Sequence, residues 1–154
     1  MARIVKPPHP LDLAPTEKSV FLAGSIEMGR AQHWQAEVEA ACGDLPGVIL
    51  NPRRDDWDSS WRQHRDNPVF REQVEWELAA QEQASLIAMY FAPETQSPIT
   101  LLELGLFARS GRLIVCCPEG FWRKGNVDLV CLRYGVPLLA DLAALIAAVR
   151  QGLR

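Results

Sequence analysis

One carboxylate, Glu103, stands among Leu101, Leu102, Leu104, Leu106 and Phe107 in the stretch SPITLLELGLFARSG, residues 97–111. An unpaired carboxylate is costly to bury, so a glutamate at the centre of an apolar helical run needs a partner or a task. Ser97 and Pro98 read as the start of that helix: a hydroxyl cap, then a residue of fixed φ with no N–H to satisfy. Glu103 falls in the second turn, where the positive end of the helix dipole favours charge by about 0.3–1 kcal/mol, fading with distance. Partial burial pulls its pKa the other way. A partly desolvated carboxylate beside a crevice suits a nucleophile. Paired with Arg109, Arg112 or a backbone group, the same residue would be a structural element. Position alone leaves both readings open.

The elements that must position it can be read along the chain. SVFLAG (19–24), GVILNP (47–52), LIAMYF (86–91), RLIVCC (112–117) and PLLA (137–140) are short, continuously apolar strands without period-two alternation. Such runs belong to a parallel sheet covered on both faces. Between them, Trp34, Val38 and Ala41 mark a helix from about Gly29 to Cys42, and Phe70, Val74, Leu78 and Ala84 mark another over 69–84. Asn67 caps the second, with Pro68 at its first position. The run around Glu103 supplies a third helix and reads as core. A loop with a short helix covers 118–135, and 141–151 forms the last helix. The pattern predicts a three-layer α/β sandwich, flavodoxin-like or Rossmann-like, with five parallel strands. Residues 1–18, which hold Pro7, Pro8, Pro10 and Pro15, read as an extended arm before a single domain at 19–154.

Ligands of open parallel sheets bind outside the carboxyl ends of the strands. Those ends are Gly24 and Ser25, Asn51 to Trp57, Pro93 to Ser97, and Pro118 to Asn126. The AGS turn at 23–25 lets backbone approach a ligand closely, but it lacks the G-x-G-x-x-G spacing of a dinucleotide site. In NPRRDDW (51–57), Arg53 and Arg54 beside Asp55 and Asp56 are either a solvated surface or a grip on phosphate or carboxylate. In the second case Trp57 would stack on a base, with Trp61 as a second indole nearby.

The totals narrow the classes. The chain has 154 residues, 48% hydrophobic and 23% charged, as expected for one globular domain. A net charge of −3 leaves no electrostatic footprint for a nucleic acid polymer. No run approaches the ~20 apolar residues of a membrane span, and the first fifteen residues do not read as a secretory signal. Cys42, Cys116, Cys117 and Cys131 form no CxxC pair and read as buried, reduced thiols, which places the chain in the cytoplasm. Cys116 and Cys117, adjacent in one strand, point to opposite faces. His9, His33 and His64 stand in no metal-ligand spacing. Nothing calls for a metal or a cofactor.

Five segments, VFLAGSI (20–26), NPRRDDW (51–57), QVEWEL (73–78), MYFAPETQSPITLLELG (89–105) and CPEGFWRKGNVDLVC (117–131), resemble the nucleoside 2-deoxyribosyltransferase superfamily in order and spacing. The closest likeness is to its bacterial deoxyribosyltransferase-like branch, over roughly residues 19–140. The resemblance implies a five-stranded parallel α/β domain and a double displacement, with Glu103 of an E-x-G signature (Gly105) as nucleophile on C1′ of a nucleoside or nucleotide. Phe21, Gly24, Ser25, Asn51, Arg53, Trp57 and Ser97 would then surround the substrate. Asn126 would be contributed by a neighbouring subunit, implying a homodimer or larger assembly. Three positions depart from the transferases. Ser97 replaces an Asp six residues before the nucleophile, as in related deoxynucleoside-monophosphate hydrolases, where a Ser binds phosphate. Ser85 stands for a second Asp used on the base, and Phe21 for a Tyr. Cleavage of an N-glycosidic bond and base exchange both stay open, beside a non-catalytic nucleoside- or nucleotide-binding sensor of the same fold.

Overall fold

The computed structural model describes residues 1–26, 32–54 and 60–154. Among the described residues, six strands form one sheet: β1 (Arg3–Val5), β2 (Ser19–Gly24), β3 (Val48–Leu50), β4 (Leu86–Tyr90), β5 (Leu113–Cys116) and β6 (Leu138–Leu139). All neighbours are parallel, in the order β1-β3-β2-β4-β5-β6. Among the described residues there are five helices: α1 (Trp34–Cys42), α2 (Pro68–Gln83), α3 (Pro98–Phe107), α4 (Lys124–Tyr134) and α5 (Leu142–Leu153). This is the doubly wound α/β sandwich the strand pattern predicts, with one strand more.

The extra strand comes from the residues read as an arm. Arg3–Val5 pairs with Val48–Leu50, and the Trp76 indole of α2 donates to the His9 carbonyl at 2.8 Å. Leu11 and Leu13 pack on the core beneath. Three residues followed by prolines carry too little periodicity to announce a strand, so pairing with β3 decides the matter.

Alternation along β2 separates two cores. Phe21 and Ala23 face α2, α3 and α4, joined by Trp76, Ala80, Leu104, Val127 and Cys131. Val20 and Leu22 face α1 and α5, with Trp34, Val38, Leu145 and Val149. All four cysteines are buried and free, and Cys116 and Cys117 fall in opposite cores as expected.

Local signals explain the helix ends. Asn67 Oδ1 accepts from Val69 N–H at 3.2 Å and Pro68 opens α2. Asp141 Oδ1 accepts from Ala144 N–H at 2.8 Å at the start of α5. α1 starts at Trp34, with Gln32 and His33 before it not helical, and the expected start near Gly29 lies outside the described residues.

Two readings of the stretch around Glu103 are corrected. Ser97 does not cap α3 through its hydroxyl: it adopts the left-handed conformation, φ 46°, and its side chain bonds elsewhere. The apolar run is not uniformly core either. Leu104 is buried, whereas Ile99, Leu102 and Leu106 are 60%, 59% and 54% exposed. With apolar residues on every side of α3, only one stripe can face the sheet.

Candidate active site

The chain leaves β2 for β3 in one direction and later passes from β4 to β5 in the other. The loops at the carboxyl ends of β2 and β4 therefore diverge to opposite faces and open a crevice, the usual ligand position in such sheets. Three hydroxyls bridge it. Ser25 Oγ and Ser97 Oγ lie 2.5 Å apart, and Thr95 Oγ1 is 3.1 Å from the first and 2.8 Å from the second. Ala92 N–H donates to Ser25 Oγ at 2.8 Å, anchoring the cluster to the end of β4. The left-handed turn at Ser97 is what aims its hydroxyl back at Ser25 instead of at the helix.

A cavity of about 570 Å³ runs from this crevice between α2 and α3, a size suited to a small ligand. Phe21, Ala23 and Gly24 of β2 form part of its wall. Pro52, Arg53 and Arg54 enter from the loop after β3, Gln73 and Glu77 from α2, and Ser97, Thr100 and Glu103 from α3.

Glu103 is 6% exposed. Its partner is neither Arg109 nor Arg112 but Gln81, whose Nε2 donates to Oε2 at 2.7 Å. Arg109 reaches Tyr134 instead, and Arg112 Nη1 donates to the carbonyls of Gln81 and Ala84. Burial drives the Glu103 pKa from the ordinary 4.5 to about 7, against the opposing Gln81 hydrogen bond.

A second carboxyl, Glu77, shares the cavity wall. Burial, and then the nearby Glu103 charge, push its pKa to about 8, opposed by a 3.3 Å hydrogen bond from Gln73 Nε2. Sequence reasoning passed over Glu77. The signal was there: Gln73, Glu77 and Gln81 recur every four residues, which places three polar groups on one face of α2.

The other expected site residues divide. Phe21, Gly24, Arg53, Ser97 and Glu103 line the cavity, and Ser25 joins it through Ser97. Gly24 has a packing reason besides proximity: a Cβ there would run into the Tyr90 carbonyl and the Trp34 indole. Arg53 Nη1 donates to the Gln32 carbonyl and to Gln35 Oε1, both at 3.1 Å. Asn51 lies off the cavity wall, where Nδ2 donates to Glu39 at 2.6 Å and Oδ1 accepts from Arg53 N–H at 2.9 Å. Trp57 lies outside the described residues, and Trp61 carries the Arg54 guanidinium 5.4 Å from its ring. Asn126 is exposed near the start of α4, away from the cavity of its own chain.

Ser85 stands at the wrong end of the sheet for a base contact. Its hydroxyl donates to the Ser19 carbonyl at 2.7 Å, tying together the beginnings of β2 and β4. The acidic side chain that reaches the cavity from this part of the chain is Glu77, eight residues earlier. Among the described residues, no three His, Cys, Asp or Glu side chains gather as a metal site.

The fold is of the doubly wound α/β class, with a crevice at the reversal of strand order. The chain belongs to the nucleoside 2-deoxyribosyltransferase-like family, whose model matches residues 17–121. Glu103, Gly105, Ser97 and Glu77 lie inside the matched region, and Asn126 beyond it. No curated protein matches the chain.

The raised carboxyls set a pH dependence of stability. Below the ordinary 4.5, both groups are protonated in the folded and the unfolded chain, so neither costs anything. Between 4.5 and about 8 the unfolded chain releases protons that the folded chain keeps, so stability falls as pH rises. Glu103→Gln and Glu77→Gln, each neutral at all pH, should flatten this fall. At pH 8 each should raise Tm by a few degrees, at about 2–4 °C per kcal/mol recovered. Thermal unfolding between pH 5 and 8 measures it. Loss of stability at pH 8 would mean that Glu103 is held as a structural partner.

Proposed function

We propose that the protein cleaves the N-glycosidic bond of a 2′-deoxynucleoside or its 5′-monophosphate through a glycosyl ester on Glu103. The observation that carries this reading is the pair of carboxyls, Glu103 and Glu77, in the wall of one cavity and held by amides. In the first step the Glu103 carboxylate attacks C1′, and the C1′–N bond breaks as the base leaves with its electron pair. The base takes a proton from the Glu77 carboxyl, which holds it past neutrality. In the second step water, or a second base, attacks C1′. Glu77 accepts the released proton, and the ester bond breaks to regenerate the Glu103 carboxylate. Two displacements at one carbon retain configuration, as in retaining glycosidases.

The Ser25–Thr95–Ser97 hydroxyls and the Arg53 guanidinium support recognition of the 5′ end of the sugar, phosphorylated or not. A hydroxyl at position 97, where a transferase would carry Asp, favours a phosphate and hydrolysis. Asn126 completes the site from a second copy on this reading. Its exposed face of α4 also carries Leu129 and Leu132, 68% and 70% exposed, and apolar surface of that kind marks interfaces. The substrate is a small molecule, not a nucleic acid polymer. Four buried free thiols fit a reducing cytoplasm. No described helix is long and apolar enough to cross a membrane.

Two outcomes are expected. Purified protein releases free base from at least one member of a panel of 2′-deoxynucleosides and their monophosphates. Glu103→Ala lowers that rate at least about 10³-fold with the fold intact by circular dichroism. Nucleotide binding without release would replace the reading by a non-catalytic sensor. Second, inactive Glu103→Ala and Asn126→Ala chains regain activity when mixed and allowed to exchange subunits. For a dimer the recovery is about a quarter of wild type, since about half the dimers are mixed and each holds one intact site. No recovery would place Asn126 outside the site.

A further inference from the structure

Two carboxyls facing one cavity pose a problem that neither solves alone. A nucleophile must be charged while its partner holds the proton, and the reverse arrangement is inert. Something must break the symmetry between Glu103 and Glu77.

Gln81 is placed to do so. It is fully buried, and its Nε2 has two acceptors: Glu103 Oε2 at 2.7 Å and the Glu77 backbone carbonyl at 3.1 Å. Both amide protons are therefore used. Turning the amide over would set Oε1 against the Glu77 carbonyl oxygen, so the orientation that presents N–H to Glu103 is fixed by the helix itself. Arg112 holds the same turn from outside, donating to the carbonyls of Gln81 and Ala84. Glu77 has a poorer donor. Gln73 Nε2 lies 3.3 Å from Glu77 Oε2 and also donates to the Pro52 carbonyl at 3.0 Å. A hydrogen bond to the charged form favours that form, and a shorter one, 2.7 Å against 3.3 Å here, favours it more.

The other charged groups facing the pair are Arg53 and Arg54, from the loop after β3, and Arg112 at the foot of β5, which is turned to the α2 carbonyls. Ser97 faces it from the start of α3. Gln81 is the group in direct contact with one carboxylate oxygen. Among the described residues, no hydrogen bond engages Glu103 Oε1, which leaves that oxygen to approach a sugar carbon.

We propose that Gln81 is a positioning residue that assigns the charge of the pair, holding Glu103 as the carboxylate and leaving the proton on Glu77. This rests on Glu103 as nucleophile, but its test does not. With ¹³C-carboxyl-labelled glutamate, Glu103 and Glu77 are assigned from Glu103→Gln and Glu77→Gln and titrated by NMR. In the wild type Glu103 must titrate below Glu77, and the reverse order overturns the proposal without any Gln81 variant. In Gln81→Met, of similar volume but without a donor, the Glu103 midpoint should rise by about one pH unit and that of Glu77 should fall. An unmoved Glu103 midpoint overturns the proposal. Should Gln81→Met not fold, Gln81→Asn, one methylene short of Oε2, gives a shift of the same sign.

In base release, the acidic limb of the kcat profile should move up with the Glu103 midpoint, with KM little changed. Loss of activity at an unmoved limb would assign Gln81 to structure alone. If Glu103→Ala still releases base while the titrations shift as stated, the nucleophile reading fails and the charge assignment survives.

Discussion

Glu103 and Glu77 sit in the wall of one cavity, and their hydrogen-bond partners among the described residues are the amides of Gln81 and Gln73, not cations. An amide donor satisfies a carboxylate oxygen without neutralising its charge, so burial wins and both groups keep their protons to higher pH. Fixed strain of this kind is tolerated only where the surrounding structure enforces it. Much of the fold serves that end. Trp76 and Ala80 of α2, with Leu104 of α3 and Ala108 just after it, pack into the same core on one face of the sheet. Both helices are anchored in that core, and Arg112 braces the last turn of α2.

Topology decides where this pair meets a ligand. The reversal of winding between β2 and β4 puts Ser25 and Ser97, 72 residues apart in sequence, within hydrogen-bond distance. The crevice so formed runs into the groove between α2 and α3. On the proposed reading, the pair is reached from one end by whatever the hydroxyls and Arg53 hold. The outer edge of the groove is exposed apolar surface, Ile99, Leu102 and Leu106 of α3.

Much of this was legible in the residues. Continuous apolar strands between capped helices announce a doubly wound sheet, and Asn67 with Pro68 marks the start of α2. Glu103 stands out because a lone carboxylate in an apolar helix demands a reason. What was not legible depended on side-chain direction. Ser97 has the type and place of a cap, and only its left-handed backbone turns the hydroxyl toward Ser25. Leu102 and Leu106 look like core until α3 is seen to bury a single stripe. Asn51 is placed by the sequence at the end of β3, but its engagement with Glu39 and the Arg53 backbone is visible only in the structure. Glu77 escaped notice because glutamates on a polar helix are ordinary, and its four-residue spacing from Gln73 and Gln81 matters only once that face is known to line a cavity. The strand at Arg3–Val5 is created by pairing, not by its own propensity.

The central claim is that Glu103 carries the sugar. A 2′-fluoro-2′-deoxyarabinosyl nucleoside, whose fluorine disfavours positive charge at C1′ and so slows breakdown of the glycosyl ester, tests this by intact-protein mass spectrometry. The account predicts a mass increase of one fluorinated sugar per chain, located by peptide mapping to Glu103 and absent from Glu103→Gln. An adduct on Glu77, or turnover of the nucleoside with no adduct on any residue, would contradict it.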